Sequence, residues 1–170
     1  MKRSSEQDYI RFTLAGLQAG CLGAIAMIGF WLFGSSTQHR SPWTVPNLLA
    51  TLFYGISIRR SGFSIPTLAG LALPFVAYSI LAVIFAALVR DRVGGPLLAI
   101  LGILSGIAAD LFFFRVGLTS LDPLIQPYLP KDTILLSHVV YGACLATAPK
   151  FARRLLHHEQ LNQEVSGRVP

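Results

Sequence analysis

Charge is what this sequence has least of. Only 13% of its 170 residues are charged, against 53% that are hydrophobic, whereas soluble domains carry about a quarter charged residues. A water-soluble core of this size cannot hide so many apolar side chains. That excludes an ordinary globular domain and points to hydrocarbon as the solvent. Cysteine is nearly absent. Cys21 and Cys144 each stand alone in an apolar stretch, with no CxxC and no metal-ligand spacing, so both read as small packing residues. There is no G-x-S-x-G, no H-E-x-x-H and no Walker-type loop, so the chain reads as a non-enzyme. The net charge of +6 sits in short clusters beside apolar spans, not on one basic face with interleaved aromatics. This argues against a nucleic-acid partner and for charge that orients the chain against an anionic leaflet.

What is present is long apolar runs. The run from Phe12 to Gly34 is interrupted only by Thr13 and Gln18. It is longer than the apolar region of a signal peptide and has no A-x-A-like site, so it reads as a transmembrane helix over 12–34. Gly16, Gly20 and Ala24 form a small-xxx-small stripe on it, and Gln18 reads as a polar contact between helices. A second span covers 65–89, with Pro66 in its first turn and Pro74 kinking it by freeing a carbonyl. The tight turn Arg90–Gly95 makes the third span, 96–114, its antiparallel neighbour. A fourth span covers 133–148, capped by Thr133 and followed by Pro149.

The connections are less regular. Pro42 to Pro46 should break any helix. Asn47 then caps a stretch reaching Ile58, too short for an ordinary span. It reads as an interfacial or re-entrant helix in the first external loop, with Trp43 and Tyr54 at headgroup level; a short fifth span is the alternative. Residues 115–132, with Pro123, Pro127 and Pro130, read as an ordered external loop. From Lys150 the tail begins as an amphipathic turn or two on the surface and ends as a disordered polar segment. The expected fold is all-α: one polytopic membrane domain over 1–170, with four transmembrane helices and one short extra helix.

With four spans both termini share a side. That side holds Lys2, Arg3, Arg11, Arg90, Arg92, Lys150, Arg153, Arg154 and Arg168, nine of the fourteen Lys and Arg. The positive-inside rule therefore puts both termini in the cytoplasm.

One carboxylate lies inside an apolar run. Asp110 follows Gly102 and Gly106 at i, i+4, i+8, on one side of the third helix. On the fourth helix His138, Gly142 and Ala146 repeat that spacing. Laid antiparallel, the small residues let the backbones close up and bring Asp110 opposite His138 at similar depth. An imidazole N–H can then satisfy the carboxylate. The functional reading is a proton-relay or ligand site with Tyr141 and Tyr78 as contributors; the structural reading is a hydrogen bond that fixes helix register. His39, His157 and His158 are not placed to share a metal or haem with His138, and no cofactor is expected.

The stretch Arg115-Val-Gly-Leu-Thr119, then Asp122, Pro127 and Ser137-His138-Val139-Val140-Tyr141, resembles the C-terminal part of the YagU-type bacterial inner-membrane proteins. The resemblance implies a bacterial cytoplasmic membrane and four helices, not an activity. Such proteins often carry a second intramembrane histidine, where this sequence has Pro74 and Tyr78. The function expected is a small accessory or structural membrane protein, or a subunit of a membrane assembly. Its partners are then the lipid bilayer and copies of itself or other membrane subunits. The alternative is a small oligomeric transporter or channel-like protein using Asp110 and His138.

Overall fold

The computed structural model describes residues 2–60, 62–90, 93–121 and 128–166, with only the backbone placed for residues 2–8, 119 and 158–166. Every regular element among them is helical: α1 (Lys2–Thr37), α2 (Thr44–Tyr54), a 3₁₀ turn (Ile56–Arg60), α3 (Ile65–Val89), α4 (Gly95–Ala109), a π-helical segment (Asp110–Gly117), α5 (Leu118–Leu121), α6 (Lys131–Leu145) and α7 (Ala148–Ser166). Four stretches are long and apolar enough to cross a membrane: Tyr9–Thr37, Ile65–Val89, Gly95–Gly117 and Lys131–His157. This is an all-α membrane bundle.

Small residues decide which helices touch. α1 packs against α3, α6 and α7, and α4 packs against α6. On α1, a β-carbon at Gly16 would lie 2.8 Å from Cα of Val83, and one at Gly20 would lie 2.7 Å from Cβ of Ala82. On the other seam, β-carbons at Gly102 and Gly106 would collide with the carbonyl oxygens of Gly142 and His138. Lipid tails are as apolar as leucine, so this close backbone contact, not the hydrophobic effect, drives the pairing. α3 and α4 spend their small faces on α1 and α6, and their own backbones do not pack closely. The neighbourhood expected from the turn at 90–95 is thus reduced to side-chain contacts such as Tyr78 with Phe113, ring centroids 5.6 Å apart. Asp91 and Arg92 of that turn lie outside the described residues.

Several boundaries differ from the sequence reading. The first helix begins well before the expected start at residue 12: residues 2–11 are the first turns of α1, because extending an existing helix needs no new nucleus. Gln18 is exposed rather than wedged between helices. α2 begins at Thr44, since Pro46 is tolerated in a first turn, and it ends at Gly55, whose φ of 81° suits glycine. Asn47 is therefore not a cap. It is buried inside α2, where Oδ1 accepts from Thr67 Oγ1 at 2.6 Å and Nδ2 donates to the Gly62 carbonyl at 3.3 Å. The run Val45–Thr51 is buried, with α2 docked on α3.

The third helix does not stop at Phe114 but passes through the π-helical segment into α5. Residues 122–127, with Pro123 and Pro127 of the expected loop, lie outside the described residues. Thr133 does not cap α6, which starts at Lys131; its hydroxyl is buried and accepts from Gln38 Nε2 at 3.0 Å. The last crossing breaks at Ala146–Thr147 and resumes as α7. α7 docks on α1 through Phe12, Ala15 and Ala152. Its helix runs to Ser166, where disorder was expected, and residues 167–170 lie outside the described residues.

Gly106→Ala should lose about 1–3 kcal/mol in reversible unfolding from mild detergent, because helix backbones cannot move aside for a methyl. Gly29→Ala, with open space around it, should be neutral or gain up to about 1 kcal/mol from helix propensity. Equal responses would contradict the packing described.

Candidate functional site

Asp110 is the first residue of the π-helical segment, where the helix widens. It is 2% exposed and His138 is 0% exposed. The seam of Gly102, Gly106 and Gly142 brings the two elements together, and His138 Nδ1 lies 3.7 Å from Asp110 Oδ1. That is an approach, not a hydrogen bond. The imidazole N–H expected to satisfy the carboxylate goes elsewhere: Nδ1 is 2.7 Å from the Ile134 carbonyl of its own helix. A carbonyl only accepts, so Nδ1 carries the proton and, in the neutral ring, Nε2 accepts from the Tyr78 hydroxyl.

The carboxylate is held by a residue the sequence reading left in the external loop. Arg115 Nε donates to Asp110 Oδ2 at 3.1 Å, with the arginine side chain 50% exposed and the aspartate side chain 3%. The winding makes this pair. In an α-helix, residues five apart point about 140° away from each other. In a π-helical segment, bonded i to i+5, they stack one turn apart. The turn from Asp110 to Gly117 therefore sets a cation over the buried acid. The signal in the sequence was the unmatched charge itself, followed five positions later by a guanidinium.

Around this chain the neighbours are tied in. Tyr141 is 0% exposed, and its hydroxyl donates to the Tyr78 carbonyl at 2.7 Å. Trp31 Nε1 donates to Ser137 Oγ at 2.7 Å, and Ser137 in turn donates to the Ile134 carbonyl at 2.6 Å. Phe114 packs edge-on between Trp31 and His138, with centroids 5.8 and 5.3 Å away. Trp31 and Phe114 were not singled out from sequence, because ordinary packing residues carry no chemical signature there.

A comparison with protein-family models, curated proteins and solved structures found no match. The chemistry must be read from the geometry. A cleft of about 90 Å³, lined by Asp110, Phe114, Arg115, Leu129, Lys131 and Ile134, reaches the carboxylate. Leu129 and Lys131 put it at the end of the bundle where α6 begins. The line Arg115–Asp110–His138–Tyr78 thus runs from a half-exposed cation to a buried phenol. Such a line can fix helix register or hold a proton. His39 and His157 are exposed and apart from it, and the side chain of His158 lies outside the described residues. Among the described residues no three of His, Cys, Asp and Glu come together.

Tyr78→Phe should cost about 1–2 kcal/mol, because it leaves a buried imidazole nitrogen without its donor. Tyr141→Phe should cost less, since the carbonyl it loses contact with sits inside the continuous helix α3. Detergent unfolding of the two variants checks the order, and a reversed order would contradict the assignment.

Proposed function

We propose that this chain is a small accessory or structural protein of the bacterial cytoplasmic membrane, with both termini in the cytoplasm. In this reading it serves an assembly of its own copies or of other membrane subunits, and it is not an enzyme. The single observation that carries the proposal is that the intramembrane acid and imidazole are already engaged within the chain. Asp110 is held by Arg115, and His138 by the Ile134 carbonyl and Tyr78. Groups spent in this way hold helices together in lipid. The charge bias toward the termini supports the orientation, and the resemblance to the YagU-type proteins supports the membrane.

One observation favours a second reading, a small oligomeric transporter or channel-like protein. The cleft beside Arg115 and Lys131 reaches Asp110, and ionisable groups at membrane depth mark ion and proton pathways.

Asp110→Asn and His138→Ala separate the two. In proteoliposomes under an imposed pH gradient, the accessory reading expects both variants to leave proton flux at the wild-type level. It expects them to lower thermal stability, His138→Ala by about 2–4 kcal/mol through the cavity and the stranded Tyr78 hydroxyl. A wild-type flux that both substitutions abolish would replace it with the transporter reading.

A further inference from the structure

On the far side of Phe114 from the polar cleft lies a second cavity, a groove of about 460 Å³. Its walls include Leu52 and Phe53 of α2, Pro74 and Ala77 of α3, and Leu118 and Leu121 of α5. The groove lies between α3 with its docked α2 on one side and the stretch Phe113–Leu121 of the third crossing on the other. Its volume is that of a small-ligand site, about 300–1,000 Å³. Its lining is almost wholly apolar side chains, the surroundings an acyl chain takes.

An acyl chain gains nothing by leaving the bilayer for an equally apolar groove, so selection must come from the headgroup. Among the described residues, this end of the bundle carries Arg40, Arg59, Arg60, Arg115 and Lys131 against Asp110 and Asp132. One of those acids is already held by Arg115. Arg59 and Arg60 end the 3₁₀ turn that leaves the groove wall after Phe53, and Arg59 stacks 3.6 Å over the Tyr128 ring. We propose that the groove holds one acyl chain of an anionic phospholipid whose phosphate rests on Arg59 and Arg60.

Native mass spectrometry of the full chain in mild detergent tests this, with phosphatidylglycerol and phosphatidylcholine of identical acyl chains as probes. One phosphatidylglycerol should be retained at about tenfold lower concentration than phosphatidylcholine, since each surface cation favours an anionic headgroup. Arg59→Gln with Arg60→Gln should erase that preference. Ala77→Trp on α3 and Leu52→Trp on α2 should each abolish retention of both lipids. Equal retention of the two lipids by the native chain would overturn the proposal. So would retention that survives both tryptophan variants, or a second copy of the chain held in place of lipid. If a tryptophan variant fails to fold, the arginine pair, on a surface turn, still decides the headgroup claim.

Discussion

A carboxylate in the apolar part of a membrane helix has to be answered, and in this chain Asp110 is answered by Arg115. The cost of leaving it unmatched is a few kcal/mol on insertion scales, more than the bonds lost by winding one turn as π instead of α. The helix therefore widens where the acid stands, from Asp110 to Gly117. That widening carries the third crossing past its expected end. It also sets Phe114 against His138 and Trp31. The Arg115 side chain remains half exposed, and the cleft it lines with Lys131 reaches the buried acid.

The second dependence is on absence of bulk. Gly102, Gly106 and Gly142 let two backbones meet, and only at that separation does His138 stand beside the acid. The same device, with Gly16 and Gly20, fixes α1 on α3. Helices paired in this way leave the outer part of the third crossing apart from α3, and the lateral groove lies between them.

Much of this could be read from the residues. Uninterrupted apolar length gave the four crossings, and the i, i+4 spacing of small residues marked both seams and the depth of Asp110 and His138. What escaped has physical causes. Arg115 was hidden because a regular helix turns it away from Asp110, and a change of winding has no sequence period of its own. Asn47 and Thr133 are good capping residues by local chemistry. Tertiary partners, Thr67 for one and Gln38 for the other, took them into helix interiors instead. The destination of the His138 N–H was also beyond the sequence, since a backbone carbonyl one turn back competes for it in any helix.

The most direct measurement is a double-mutant cycle on Asp110→Asn and Arg115→Gln, read as unfolding free energy in detergent. If the π-helical turn exists to pair these two, the coupling should be about 1–2 kcal/mol, a charge-assisted bond reduced by the exposure of the arginine. The same cycle between Asp110→Asn and His138→Gln should give less. Additivity of Asp110 and Arg115 to within about 0.5 kcal/mol would contradict the account.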